Sequence, residues 1–291
     1  MHVAVLGNAG SWYCRDLQRA VLERGHRYSR IDFRKLTADV TGTGPTLAAD
    51  DADLSKVNAV VVRTMPPGSL EQVVFRMDAL GELEAAGTLV LNPPKAIECA
   101  VDKYLTTSRL ASAGLRVPRT VVCENADSAM QAFDRLSGDV VVKPIFGSEG
   151  RGIVRVSDPE LALRTFRTLE RINTVLYVQQ YIEHEGFDVR VMVLDGRIVG
   201  AIRRRCTDDF RTNVSQNGRA EPCQLSGVER QAALRASAAV GTRLAGVDLL
   251  PGRQGNWYVI EVNAVPGWRA FSKVTGCDVA ARIVESLENQ L

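Results

Sequence analysis

VVKPIFGSEGRGI, residues 141–153, ends an apolar run on Lys143 and follows it with glycines at 147, 150 and 152. Glycine lets successive backbone N–H groups turn toward one point, and a lysine beside them adds a compact positive charge, which together suit a phosphate. The same residues also fit a tight hairpin carrying an exposed lysine, and taken alone they do not separate the two readings. No Gly-Lys-Ser/Thr follows, so this is not a Walker loop. The Gly7-Asn8-Ala9-Gly10 turn is too short for a dinucleotide fingerprint.

Outward from the loop, GDVVVKPI and RGIVRVS read as flanking strands and residues 159–171 as a helix, a small α+β lobe. Upstream, HVAVLG (2–7) reads as a strand and residues 12–24 as a helix stopped by Gly25. Further strands follow near 28–32, at VNAVVVRT (57–64) and at TLVLN, with a helix over 70–86. Strands alternating with helices imply a parallel sheet covered by helices. Asn92-Pro93-Pro94 marks a boundary, because consecutive prolines halt strand and helix alike. A helix over 101–113 closed by Gly114 comes next. Downstream, DVRVMVL and RIVGAIRRR read as an antiparallel pair turned at Asp195-Gly196. Ser226 and Glu229 form a capping box, VDLLPG and WYVIEVN are two more strands, and a closing helix starts at Asp278.

Those last two strands carry a second constellation. Strand side chains repeat every second residue, so Glu261 and Asn263 share a face, and a hairpin would set Asp248 opposite them. Oxygen donors converging on apolar strands suit a hard cation such as magnesium; the competing reading is a solvated edge with incidental acids.

Composition narrows the classes. The 291 residues carry 36 basic and 34 acidic side chains, a net charge of +2, which calls for neither nucleic acid nor an anionic membrane. Six scattered cysteines without a CxxC pair, far in sequence from the three histidines, argue against a disulfide framework or a zinc site and fit a reducing cytoplasm. No apolar run is long enough to cross a membrane, and the N-terminus lacks the layout of a signal peptide.

From about residue 95 to 290 the sequence resembles the ATP-grasp enzymes, and among them the RimK-type α-L-glutamate ligases, through Asp102-Lys103, VVKPIFGSEGRGI, VQQYIE, FDVRVMV, DFRTN, GVDLL and EVNAVPG. The resemblance implies an α/β chain with a pre-ATP-grasp domain over 1–94, a lid lobe over 95–178 and a metal-bearing lobe over 179–291. It implies ATP held by Lys103 and Lys143 beneath a mobile loop of Gly147, Ser148, Glu149, Gly150 and Gly152. Adenine would be read by the backbone of Gln180, Tyr181 and Ile182, Asp188 would lie near the ribose, and Arg211 with Asn213 would reach the phosphate end. Asp248, Glu261 and Asn263 match ligands of magnesium, two ions being usual and manganese an alternative. Arg204 and Arg205 match arginines near an acyl phosphate, a basic strand face being the competing reading for either. The implied reaction joins L-glutamate to a carboxylate acceptor, a coenzyme of tetrahydromethanopterin or methanofuran type or a protein tail, in a cytoplasmic dimer or tetramer. Ribosomal and carrier proteins are further acceptors in the family. A phosphotransferase or a nucleotide-binding regulatory subunit would keep parts of the same pattern. Arg63, at the end of the third strand, faces the expected cleft and would hold a substrate carboxylate. Trp268, with Arg269 and Lys273, would border the acceptor, or else belong to a surface loop with a packed tryptophan.

Overall fold

The run HVAVL forms β1 (His2–Leu6), the centre of the first sheet, in a computed structural model that describes residues 1–42, 44–50, 52–147, 150–206, 210 and 219–291, with backbone alone at 254. After β1 come α1 (Trp12–Glu23), β2 (Arg27–Ile31), β3 (Leu36–Thr41), β4 (Gly44–Ala49), β5 (Ala52–Asp53), β6 (Ala59–Val62), α2 (Leu70–Ala85) and β7 (Leu89–Leu91). The sheet runs β2-β1-β6-β7 with parallel pairs, as the alternation of strands and helices predicts. A separate antiparallel sheet, β3-β4-β5, was not anticipated. β3 is exposed except at Leu36, and β4 buries only Leu47 and Ala49, too few apolar positions to announce a strand.

The middle of the chain holds α3 (Pro94–Val101), α4 (Lys103–Ser112), β8 (Thr120–Cys123), α5 (Ala126–Arg135), β9 (Val140–Lys143), β10 (Val154–Val156), α6 (Pro159–Arg171) and β11 (Leu176–Gln180), with sheet order β10-β9-β11-β8. The helix expected over 101–113 is α4, and a further helix that the sequence reading does not contain, α3, precedes it and ends where Asp102 begins the next. Asp102 sits in extended backbone and its carboxylate accepts the Leu105 N–H at 2.9 Å, so it caps α4 instead of continuing α3. Pro94 stands in the first turn of α3, where its missing N–H costs nothing.

The remainder forms β12 (Phe187–Leu194), β13 (Arg197–Arg205), β14 (Arg219–Pro222), α7 (Gly227–Val240), β15 (Leu244–Pro251), β16 (Trp257–Asn263), α8 (Arg269–Thr275) and α9 (Val279–Glu288). The sheet order is β14-β13-β12-β15-β16. Asp195 and Gly196 both take positive φ, 46° and 68°, as the tight turn between β12 and β13 requires. Chain order does not match packing order at the end. α9 returns to the first sheet, where Ile283 and Val284 join Val3, Val5, Val61 and Leu17 of α1 in one core that also takes in Met192 and Ile202. The other face of that sheet packs Leu6 and Val60 on Leu80 and Leu83 of α2.

Candidate active site

β12, β15 and β16 lie side by side in a register that pairs Arg190 with Asp248 and Asp248 with Glu261. The pairing then slips, Leu249 facing Val259, so Ile260 is an extra residue and the strand is bulged. Gly246 faces Asn263, which puts Asp248, Glu261 and Asn263 on one face of the sheet. Asp248 is 3% exposed, and burial alone would raise its pKa. Arg190 instead grips both oxygens, at 2.7 and 2.6 Å, Arg204 stands 3.0 Å away, and the two guanidiniums hold the carboxyl below its ordinary range. Arg204 in turn grips both oxygens of Asp188, at 2.7 and 2.6 Å. These two acids keep Arg204 firmly charged despite its burial.

Glu261 has no such clamp. Burial first, and the neighbouring Asp248 charge second, push its carboxyl above the usual glutamate range. A half-buried acid in that condition is relieved by a cation. Among the described residues no three His, Cys, Asp or Glu side chains cluster, so a metal here would be held by two carboxylates and the Asn263 amide, whose Oδ1 also accepts the Val265 N–H at 2.8 Å. A set made only of oxygens fits magnesium.

Across the pocket from this face stand the two lysines. Lys103, first residue of α4, donates to the Gly147 carbonyl at 2.9 Å, so the helix that Asp102 caps also grips the glycine-rich loop. Lys143, last residue of β9, donates to Gln179 Oε1 at 2.7 Å. Burial lowers the pKa of both, that of Lys143 to about 8. Gly147, Gly150 and Gly152 all take positive φ, at 142°, 72° and 72°, conformations for which the loop needs glycine.

The pocket bounded by Lys103, Lys143, Asp188, Asp248 and Glu261 is also lined by Gln180, Tyr181, Ile182, His184 and Phe210. Gln180 N–H is used by the Arg119 carbonyl and Tyr181 N–H by that of Asp139, whereas the Ile182 amide donates to no backbone carbonyl among the described residues. A base read by this backbone would therefore meet Ile182 as donor. Arg155 stacks over the Tyr181 ring at 3.5 Å while bound to Asp139, and His184 contacts the Phe210 carbonyl at 3.1 Å, so the hinge is braced from both sides.

Some expected residues lie elsewhere. Arg205, one position past Arg204, points to the opposite face of β13, pairs with Glu221 and lies 5.0 Å from the Phe187 ring. Trp268 is 0% exposed. Its Nε1–H donates to Asp16 at 2.8 Å and its ring packs edge-on against Tyr13, so it borders no acceptor. Arg63 is buried with it, the guanidinium 4.9 Å from the Tyr13 ring and 4.3 Å from Trp268, bonded to the Pro266 carbonyl; burial lowers its pKa to about 10. Arg269 and Lys273 are exposed on α8, Arg269 over Trp12. Ser148, Glu149, Arg211 and Asn213 fall outside the described residues. The residues that sequence reading passed over are Arg190, Gln179, Tyr177 and Thr107. Arg190 did have a signal, since it alternates with Asp188 along β12.

Comparison with known proteins gives the family and the fold. Residues 100–287 match the RimK-like ATP-grasp domain and residues 1–97 the RimK PreATP-grasp domain. The tetrahydromethanopterin:alpha-L-glutamate ligase of Methanosarcina acetivorans is 33% identical over 96% of this chain and 96% of its own length. The ribosomal protein bS6–L-glutamate ligase of Escherichia coli is 30% identical over 99% of this chain and 96% of its own length. Among solved structures, the ATP-grasp ligase PsnB complexed with a minimal precursor superposes with a TM-score of 0.79, at 24% identity and covering 99% of both chains, a likeness of fold. The chain belongs to the RimK-type family of ATP-grasp ligases.

Proposed function

We propose that this protein joins the α-amino group of L-glutamate to a carboxylate acceptor, with ATP cleaved to ADP and phosphate. The acceptor is a coenzyme of tetrahydromethanopterin or methanofuran type or a protein C-terminal tail. The observation that carries the reading is the facing of two charge sets across one pocket, Asp248 and Glu261 on the sheet and Lys103 and Lys143 opposite. A carboxylate is a poor acyl donor. Its oxygen attacks the γ-phosphorus, ADP departs, and the resulting acyl phosphate is attacked by the amine, releasing phosphate and a proton. Lys103 and Lys143 hold the phosphates, and Arg190 and Arg204 fix the direction of the Asp248 and Asp188 carboxylates beside them. Bound magnesium supplies further charge neutralisation at the phosphates; Glu261, Asp248 and Asn263 would hold it, as two ions or as manganese in their place. No side-chain nucleophile is required. The burial of Trp268 removes the aromatic platform that would have favoured a pterin, so the acceptor is chosen by experiment.

That experiment incubates the chain with ATP, magnesium, L-glutamate and each candidate acceptor, and reads product masses and ADP. The expected result is a gain of one or more glutamyl residues with equal ADP. ADP formed without need of an amine, with phosphate retained on the product, would establish a phosphotransferase instead.

A further inference from the structure

One wall of the nucleotide pocket holds a buried polar chain of Gln179, Tyr177 and Thr107 to which the proposed reaction gives no role. On β11, Tyr177 stands opposite Lys143 of β9 and Gln179 opposite Val141, so Tyr177 and Gln179 share a face. Gln179 is 3% exposed and Tyr177 1%. Gln179 Oε1 accepts from Lys143 at 2.7 Å, and its Nε2 donates to Thr120 Oγ1 and to the Tyr177 hydroxyl, each at 3.0 Å. The Tyr177 hydroxyl meets Thr107 Oγ1 at 2.7 Å. Thr107 lies four residues after Lys103 on α4, hence on the same side of that helix. The hydrogen bonds thus run from one lysine to the helix face that carries the other.

We propose that Gln179 is a positioning residue for Lys143, fixing its ammonium toward the nucleotide phosphates and, through Tyr177 and Thr107, setting it relative to Lys103. The inference rests on the nucleotide-site reading above and deepens it. A lysine head on a four-carbon stem is free to rotate, and its own preference leaves its direction undefined. Gln179 takes one of the three ammonium donors and leaves two for phosphate. Because the carboxamide is neutral, it fixes the head without cancelling the charge that phosphate needs, as a carboxylate would. Its own amide group is spent on two hydroxyls, so it cannot turn away without stranding buried donors.

The test measures ADP and adenosine binding calorimetrically on the full chain with magnesium, for Q179L, Y177F and K143M and for both double variants with K143M. Q179L is expected to weaken ADP about tenfold and Y177F about threefold, with adenosine changed less than about twofold, because adenosine has no phosphate for Lys143 to hold. In the K143M background neither substitution should weaken ADP further. Equal losses for ADP and adenosine, or an undiminished effect in the K143M background, overturn the proposal and leave a merely structural network. Should Q179L fail to fold, Y177F, which removes one oxygen, carries the same comparison. If the unsubstituted chain binds no ADP, the nucleotide-site reading falls and this inference with it; if it binds ADP and both variants match it, only the inference falls.

Discussion

Glu261 is the carboxylate that neither Arg190 nor Arg204 grips, and its role can be separated from that of Asp248. Asp248 is already satisfied by Arg190 and Arg204, whereas Glu261 sits half-buried beside it with a raised pKa. Glu261→Ala should therefore lower magnesium-dependent ADP formation by ~100-fold or more while the folded chain gains stability, since a strained acid has gone. Undiminished activity would refute the metal role. Lys143 gives a matching test in pH. The folded chain holds it at about 8, below the 10.5 of an ordinary lysine, so the unfolded chain binds the proton more tightly. The handicap to folding is full below pH 8 and fades as pH rises toward 10.5. K143M should thus be more stable than the parent at pH 7, by up to about 3 kcal/mol, with the gap closing at high pH in parallel denaturant titrations. At this scale the sequence was legible wherever a strand period sufficed, as for Glu261 and Asn263. The alternation of Arg190 with Asp188 put it on the site face, but its partner, Asp248, depends on the register between β12 and β15, which a local pattern does not state.

The elements show a different limit. The helix expected from about residue 101 begins at Lys103, because the Asp102 side chain takes the Leu105 N–H and caps it, and α3 just before it goes unread. That cap matters to the site, for it places Lys103 at the start of a new helix beside the Gly147 carbonyl. Asp102→Ala should cost about 0.5–2 kcal/mol, the ordinary worth of an N-cap, and should raise KM for ATP several-fold, because the first turn carrying Lys103 loosens. Asp102→Ser should restore much of both, since serine caps equally well. Thermal melts and ATP kinetics on the two variants decide the matter, and an unchanged KM in Asp102→Ala would show that Lys103 is placed by the loop instead. The turn at Asp195-Gly196 and the box at Ser226 and Glu229 were readable because their chemistry is local. β3, β4 and β5 were not, because only Leu36, Leu47 and Ala49 among their residues are buried, too few for a periodicity to report.

Across the whole molecule, the last helix, α9, packs on α1 and the core of the first sheet, while α8 before it lies on β13 and β14. Trp268 marks the junction: it follows the metal strand by five residues, yet its ring packs on Tyr13 and Arg63 and its indole N–H bonds Asp16 of α1. Nothing in EVNAVPGWRAF tells a packed tryptophan from one that faces a cleft, because that depends on contacts about 250 residues away in sequence. The same knot joins the N-terminal sheet to the segment after β16, since Arg63 holds the Pro266 carbonyl three residues beyond Asn263. Removing the ring therefore opens a cavity at a shared wall. It also leaves Asp16 without its indole donor and Arg63 with one aromatic face in place of two. Trp268→Ala should destabilise the chain by about 3–5 kcal/mol, the usual toll of a large-to-small core change. Any residual activity at low temperature should show KM for ATP and for the acceptor disturbed together, through the shift of Asn263 and its neighbours. A variant that kept its melting temperature and raised only the acceptor KM would place the ring in the acceptor site and contradict the packing seen here.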